Sequence, residues 1–190
     1  ITYSLTHYND IKHARAEIDK SPTRSLPIYS LDTGLIFERN STVFGRETEQ
    51  TLEPRLFYAY IPYRNQRHMP NFDSSSADLN FAELFTPNKY TGFDRIANTN
   101  QLSAVLTTRY IDSGTGKEWF SATVGQRYYF TDEKVDLYWS NPGKTKNRSD
   151  VLAASQFSLF EGWRLEGAIQ YSTEWSRISK TSAGIRYNPR

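Results

Sequence analysis

The chain has 190 residues, of which 37% are hydrophobic, and its mean hydropathy is −0.68. No run of about 18 apolar residues occurs, which excludes a helical membrane protein, and the 13 Tyr, 11 Phe and 4 Trp residues argue against a disordered chain. The net charge of +2 gives no nucleic-acid signal, and the absence of cysteine excludes disulfides, thiolate nucleophiles and cysteine-bound metals.

Alternation of apolar and polar residues with a period of two recurs along the chain and predicts β-strands. In the clearest run, 163–172, Leu165 and Ile169 share one face while Arg164 and Glu166 share the other. The predicted strands lie, in chain order, near 1–7, 25–39, 49–61, 98–112, 117–130, 149–160, 163–173 and 178–188. Most of them exceed the length of about 5–6 residues usual in soluble proteins and suit a tilted membrane crossing of about 9–11.

The connections between the predicted strands alternate in length. The first, third, fifth and seventh are 8–24, 62–97, 131–148 and 174–177, whereas the others are 40–48, 113–116 and 161–162. Long loops on one side and short turns on the other are typical of outer-membrane barrels. The sequence therefore predicts an all-β fold, with about eight antiparallel strands of a larger transmembrane β-barrel. A soluble β-barrel or sandwich with an aromatic core is the alternative.

Aromatic residues lie near the ends of several predicted strands. Tyr58 and Tyr60 end one strand, and Trp163 and Tyr171 bracket another. Aromatic girdles at both interfaces are expected of membrane barrels because the rings suit the headgroup zone.

Charged residues occupy the polar faces of the predicted strands. The set predicted to face a lumen contains Glu53, Arg55, Arg109, Arg127, Arg164, Glu166 and Arg186. Mixed charge fits a water-filled or plugged lumen. Its basic members could bind sugar-linked phosphates, although solvation and cross-strand pairing explain any single residue more simply.

The predicted loop 62–97 is long and rich in aromatic residues. Such loops are usually functional or disordered, and this one has too many apolar groups for disorder. We expect it to fold over or into the barrel in preference to binding a partner. Its polar cluster is predicted to act as hydrogen-bonding anchors that hold the loop: Asn71, Asp73, Asp94, Arg95 and Asn100.

The sequence shows no catalytic, metal or cofactor site. The three histidines, His7, His13 and His68, fall in predicted loops or at strand ends, and no two of them have a spacing that forces a shared face. Isolated exposed histidines are far commoner than ligands or catalytic bases. We expect neither an enzyme nor a cofactor.

Several segments, in the right order over roughly 25–190, resemble the barrel of the LptD family, the lipopolysaccharide-assembly outer-membrane proteins. They read SLPIYSLDTGL at 25–35, TLEPRL at 51–56, IPYRNQ at 61–66, PNFDS at 70–74, GFDRI at 92–96, LTTR at 106–109, GQRYYF at 125–130 and GIRY at 184–187. Together they are specific, although no single segment would be.

The resemblance implies a very large barrel in the bacterial outer membrane, of which this chain would form about a third of the strands. It implies a translocon that takes lipopolysaccharide from a periplasmic bridge of Lpt proteins and releases it into the outer leaflet. The implied partners are a plug lipoprotein of the LptE type, the Bam machinery during assembly, and outer-membrane lipid, with no nucleic acid.

The resemblance also implies that parts of the family's architecture lie outside this chain. The periplasmic domain and the first and last strands, which form the lateral gate, are absent from residues 1–190, which we interpret as part of one β-barrel domain. The chain begins at Ile1 within a predicted strand, and its one methionine is Met69, so we expect a piece of a longer protein. Two rival functions stay open, a passive porin-like channel and, less favoured, an outer-membrane hydrolase that would use one of the histidines.

Overall fold

The computed structural model describes residues 1–9, 21–137, 147–160 and 162–188. Within these ranges the chain forms nine strands and a short 3₁₀ helix, Glu83–Phe85. The strands are β1 Thr2–His7, β2 Thr23–Gly34, β3 Phe37–Val43, β4 Arg46–Ile61, β5 Thr99–Asp112, β6 Glu118–Tyr129, β7 Val151–Phe160, β8 Trp163–Ser172 and β9 Arg177–Tyr187. The sheet order is β1-β2-β4-β5-β6-β7-β8-β9, with β3 paired to β4. The predicted all-β antiparallel fold is confirmed.

The predicted strand 25–39 is two strands, which raises the count within the described residues to nine. The chain leaves the strand conformation at Leu35 and Ile36, where the backbone nitrogen of Leu35 donates to the carbonyl of Pro54 at 3.0 Å. Pro54 has no N–H to return, so the hydrogen-bond ladder is interrupted opposite it. The break between β2 and β3 follows from this proline.

The predicted connection 40–48 is also wrong, because most of it is a hairpin. Strands β3 and β4 pair from Phe37 with Leu52 to Val43 with Arg46, which leaves a turn of two residues. Those residues, Phe44 and Gly45, have φ values of 50° and 75°. Two-residue turns with positive φ at both positions match the twist of the flanking strands. The alternation of apolar and polar residues that was found in 25–39 therefore continues through a tight hairpin.

The described chain divides into two compact units. Each of the strands β2, β4, β5 and β6 has residues in both units. The first contains Ile1–Leu31, Phe57–Leu102 and Tyr128–Asn147, and the second contains Asp32–Leu56, Ser103–Arg127 and Arg148–Arg190. In the described ranges no helix is both long and apolar enough to cross a bilayer.

Candidate functional site

The connection between β4 and β5, residues 62–98, packs against strands of the first unit. Its Ile96 joins Leu26 and Ile61 in one buried cluster, and its Tyr90 and Ala97 join Val135 in another. Leu84 of the 3₁₀ helix is fully buried. Burial of apolar side chains is the dominant favourable contribution to folding, so this segment is an integral part of the folded first unit. We call residues 62–98 the docked loop.

The docked loop covers one face of the sheet in the first unit and leaves the other open. Along β4, Phe57, Ala59 and Ile61 are buried, whereas Tyr58 and Tyr60 between them are 36% and 39% exposed. Successive strand residues point to opposite faces. The open face therefore carries aromatic side chains, and there Tyr60 packs against Tyr29 with ring centroids 6.2 Å apart.

Arg24 of β2 connects the sheet to the docked loop through a buried guanidinium. Its Nη1 donates to Gln66 Oε1 at 2.8 Å and to the carbonyl of Asp94 at 2.7 Å. Its Nη2 donates to the carbonyl of Phe93 at 2.6 Å and to Thr6 Oγ1 at 2.9 Å. Five N–H groups in a planar fork allow arginine to hold several acceptors at once. One strand residue thus binds both ends of the loop.

Gln66 completes that connection from the loop side. Its Nε2 donates to the carbonyl of Ile96 at 2.7 Å, and its Oε1 accepts from the backbone nitrogen of the same residue at 3.2 Å. Only 1% of Gln66 is exposed. A buried amide that is left unpaired is costly, and these bonds pair the beginning of the loop with its end.

Asp94 is the acceptor at the centre of the docked loop. One carboxylate oxygen accepts from the hydroxyl of Tyr8, and the other accepts from the backbone nitrogens of Phe72 and Asp73, the latter at 2.8 Å. Asp73 makes the reciprocal bonds: its Oδ1 accepts from the backbone nitrogens of Phe93 and Asp94, each at 3.1 Å. The two segments of the loop are therefore joined by reciprocal bonds to carboxylates.

Arg95 extends this network into the interior of the loop. Its Nη1 donates to the carbonyl of Pro70 and its Nη2 to that of Met69, both at 2.7 Å. The residue is 2% exposed, and this burial lowers the pKa of its guanidinium. A buried charge is tolerated when it is hydrogen-bonded and close to an opposite charge, and Asp94 supplies that charge.

The five residues predicted as loop anchors have three different surroundings. Asp73, Asp94 and Arg95 share the network just described. Asn71 makes a local turn, with its Oδ1 accepting from the backbone nitrogen of Ser74 at 3.1 Å. Asn100 lies outside the loop, in β5, and its Oδ1 accepts from the hydroxyl of Tyr58 at 3.0 Å. The expectation that Asn100 contacts the loop is therefore not what the structure shows, because the strand begins before it.

Sequence reasoning missed Arg24, Gln66 and Tyr8, which are central to the network. Arg24 has the parity of Leu26, and both are buried. The predicted strand began at residue 25, two residues after the observed start at Thr23, so Arg24 was not placed on a face. The partners are far apart in sequence, and nothing in a single sequence pairs residues 24, 66 and 94.

The network carries a pH dependence through Asp94. Burial alone would raise the pKa of its carboxyl group, but hydrogen bonds from Tyr8 and from the Phe72 and Asp73 amides hold that pKa below its ordinary value. A depressed pKa in the folded state stabilises the loop above the unfolded pKa of about 3.9. We predict that the loop stays docked from neutral pH down to about 4 and loses protection as pH falls further. Hydrogen exchange against pH would follow this, and Asp94→Asn should abolish the acid transition.

Gly92 is required where the two loop segments meet. Its φ is 73°, and a Cβ there would lie 2.5 Å from Asp73 Oδ1 and 2.6 Å from the Asp73 carbonyl oxygen. We predict that Gly92→Ala destabilises the docked loop by roughly 1–3 kcal/mol, measured by hydrogen exchange of the full-length protein. Gly116→Ala is the matched control, because its φ is 67° with no atom within 4 Å. Equal effects of the two substitutions would show that the contact with Asp73 is irrelevant.

The second unit presents one charged face. Arg109 donates from Nε to Glu53 at 2.9 Å and from Nη1 to Glu118 at 3.0 Å. Arg55 donates to Asp32 at 2.9 Å. These groups are partly exposed, so each pair stabilises the fold by less than about 1 kcal/mol.

The remaining members of the predicted lumen-facing set lie in the same unit. Arg127 is buried, and its Nε donates to Ser103 Oγ at 3.3 Å. Arg164 is directly opposite Arg186 in the register of β8 and β9. Arg186 approaches Glu166 at 3.8 Å. Six members of the set, all except Arg164, thus make side-chain contacts across strands, and the prediction that the set faces a lumen stays a prediction.

The opposite face of the second unit is apolar and exposed. One cross-strand row reads Phe120, Phe157, Leu165 and Ile185, and a second reads Val124, Ala153, Ile169 and Thr181. Ile169 is 42% exposed and Ile185 is 70% exposed. Contiguous exposed apolar surface of this kind marks contact with another apolar phase or partner. Alternation between this face and the charged one is the pattern of a membrane barrel wall.

The histidines form no catalytic or metal arrangement in the part of the chain that the structure describes. His7 Nδ1 bonds to Thr23 Oγ1 at 2.7 Å, His68 lies in the docked loop, and His13 is outside the described residues. No group of three His, Cys, Asp or Glu side chains within the described ranges could hold a metal ion.

Comparison with known proteins agrees with this architecture. The profile of the family described as "LptD: LPS transport system D" matches residues 2–190. The "LPS-assembly protein LptD" of Paraburkholderia xenovorans is 43% identical over 188 residues, which is 99% of this chain and 24% of the relative. Proteins with the same description from Burkholderia thailandensis and Aromatoleum aromaticum are 46% and 42% identical, covering 88% and 98% of this chain and 21% and 24% of the relatives. The resemblance found in the sequence is confirmed, and the chain spans about 24% of the length of its first relative.

Proposed function

The chain belongs to the LptD family, and from this premise we propose that it forms part of the wall of the translocon that inserts lipopolysaccharide into the outer leaflet. The family is one of transport, not catalysis, and belongs to the bacterial outer membrane. The observation that carries the proposal is the two-faced sheet of the second unit, apolar and exposed on one side and charged on the other. A barrel wall between lipid and a hydrophilic lumen needs both faces.

In this proposal the docked loop lies on the lumen side of the sheet in the first unit. In the first unit it covers the face opposite Tyr29, Tyr58 and Tyr60, and tyrosines on strand ends suit the lipid interface. Asp73, Asp94 and Arg95, with Arg24 and Gln66, act in this proposal as anchors that hold the loop against the strands. Asn71 shapes a local turn.

The partners of the whole protein follow from the same proposal. A plug lipoprotein of the LptE type would occupy the remaining lumen, a periplasmic Lpt bridge would deliver lipopolysaccharide through a domain outside this chain, and the Bam machinery would fold the barrel. The lateral gate would be built from strands beyond residues 1–190. The charged face provides a hydrophilic path for sugars, while the apolar face contacts outer-membrane lipid.

Depletion of the full-length protein tests the proposal. After depletion, newly made lipopolysaccharide should stop reaching the cell surface. In a second experiment, the purified full-length protein should carry a co-purifying lipoprotein and show low ion conductance. A passive channel would give the reverse result, with high ion conductance and undisturbed lipopolysaccharide at the surface. An outer-membrane hydrolase would lose a measurable activity when His7, His13 or His68 is changed.

A further inference from the structure

The hairpin of β8 and β9 contains an irregularity close to its turn. Gln170 of β8 pairs with Lys180, but the next residue, Tyr171, pairs with Ile178. Ser179 is therefore an extra residue in β9, which is the arrangement of a β-bulge. Side-chain direction otherwise alternates at every residue of a strand, so a bulge of this kind redirects the side chains that follow it.

The bulge changes which residues of β9 lie on the apolar face near the turn. Thr181 lies on that face, and strict alternation from it would put Ser179 and Arg177 there as well. The bulge instead brings Ile178 onto the apolar face, because residues paired across antiparallel strands share a face. It places Arg177 on the polar face, opposite Ser172.

Polar side chains on the other face hold the bulge in place. The hydroxyl of Ser179 donates to the carbonyl oxygen of Gln170 at 3.1 Å and to Asp150 Oδ2 at 3.3 Å. The same carboxylate oxygen accepts from Gln170 Nε2 at 2.8 Å. Asp150 comes directly before β7, so it connects the extra residue of β9 to both neighbouring strands. Hydrogen bonds to a carboxylate are stronger than bonds between neutral groups, which makes Asp150 the central acceptor of the bulge.

The redirected Ile178 completes an apolar row at the end of the strands. Val151, Tyr171 and Ile178 are paired across β7, β8 and β9. Tyr171 is 39% exposed and Ile178 is 56% exposed, so the row continues the exposed apolar face of the second unit towards the turn. A tyrosine beside aliphatic side chains suits the boundary between acyl chains and headgroups, because its ring is apolar and its hydroxyl is polar.

The row lies where β8 enters its turn, residues 173–176. In an antiparallel sheet of this order, β4 and β6 end on the same side as β8. The connections that follow β4 and β6 are residues 62–98 and 130–150, which are long. Outer-membrane barrels carry their longer connections on the extracellular side. In a barrel wall, the row would therefore lie at the outer-leaflet end of the strands.

We propose that the bulge turns Ile178 outward so that it and Tyr171 contact outer-leaflet lipid at the boundary between acyl chains and headgroups. Asp150 is the positioning residue, and it acts through Ser179. The inference rests on the proposed function, because it requires the apolar face to lie in a membrane. The bulge also keeps the guanidinium of Arg177 off the lipid face, where charged side chains destabilise a barrel.

Single cysteines on both sides of the predicted boundary test this in the membrane-embedded full-length protein, after any other cysteines are removed. Ile178→Cys should react with lipid-phase reagents and Arg177→Cys with water-phase reagents. A regular register predicts the reverse, because a slip of one residue turns every side chain to the other face. Ile185→Cys and Arg186→Cys give the lipid and water references. Ser179 is left unchanged, because its hydroxyl holds the bulge.

Changes at Asp150 test its positioning role. Asp150→Ala removes the acceptor, so the labelling of Ile178→Cys should shift to the water phase and that of Arg177→Cys to the lipid phase. Asp150→Asn is the matched control, because its amide oxygen can accept both bonds that Oδ2 accepts, and labelling should stay as in the unchanged protein. A general loss of structure would alter the two references as well. All variants are first checked for the heat-dependent gel mobility of a folded barrel.

The outcomes separate this inference from the proposed function. Reversed labelling at positions 177 and 178, with both references intact, would overturn the bulge and leave the barrel wall standing. Protection of Ile178→Cys from both reagents would overturn lipid contact in favour of a protein partner. Equal labelling in Asp150→Ala and Asp150→Asn would overturn the role of Asp150. Water-phase labelling of Ile185→Cys would instead overturn the membrane wall on which the proposed function depends.

Discussion

Asp94→Ala is expected to release the docked loop, with a loss of about 3–5 kcal/mol, the range seen when one member of a buried charge pair is removed. The carboxylate of Asp94 accepts from Tyr8, Phe72 and Asp73. Removing it leaves those donors unpaired and the buried charge of Arg95 without its counter-charge. Hydrogen exchange of the full-length protein should show lost protection across residues 66–97, while the strands of the second unit keep theirs.

The consequence for cells is a weakened outer-membrane barrier. If the docked loop supports the barrel, Asp94→Ala combined with Arg95→Ala should lower folded barrel levels and increase sensitivity to large antibiotics. Asp78→Ala is the control, since it removes an exposed carboxylate from the same loop and should change stability by less than about 0.5 kcal/mol. Normal barrel levels and normal resistance in the double variant would contradict the anchoring role.

Ile169→Lys is expected to destabilise the folded barrel by about 2–4 kcal/mol, the effect of a lysine on the lipid face near the bilayer midplane. Ile169 is 42% exposed, so in water the same change would have little effect because the side chain already contacts solvent. Ala168→Lys is the neighbouring control on the other face, between Ala154 and Ser182 in the register. The free energy of unfolding of the full-length protein in lipid vesicles would measure both.

The contrast between the two lysines is what matters. A large loss of unfolding free energy for Ile169→Lys with a small loss for Ala168→Lys means that one face contacts lipid and the other contacts water. Similar small effects at both positions would indicate two aqueous faces, and the apolar face of the second unit would then belong to a soluble sheet.

Period-two alternation was enough to predict the strand architecture because side-chain direction alternates along every strand. The prediction failed where that rule is interrupted locally. Pro54 breaks the ladder opposite Leu35, and Phe44 with Gly45 makes a tighter turn than the polar stretch 40–48 suggested. Both events depend on backbone hydrogen bonding and φ, which apolar patterning does not encode.

The candidate sites were predicted only in part. Asp73, Asp94 and Arg95 stand out in sequence as polar residues within an aromatic loop. Their partner Arg24 is 70 residues from Asp94, and no local pattern connects the two. The opposed pair Arg164 and Arg186 likewise becomes visible only when the register of β8 and β9 is known, because alternation places both on a polar face without aligning them.

Site-specific accessibility along β8 is the most direct test of whether this strand is part of a membrane barrel wall. The chain has no cysteine, so single cysteines can be placed from Trp163 to Ser172 in the full-length protein after any others are removed. Membrane-embedded protein is then probed with lipid-phase and water-phase reagents. Strict alternation is predicted, with Leu165, Ile169 and Tyr171 reached from lipid and Arg164, Glu166 and Gln170 reached from water. Uniform access from water, or a period near 3.6 residues, would contradict the barrel wall and the translocon function that depends on it.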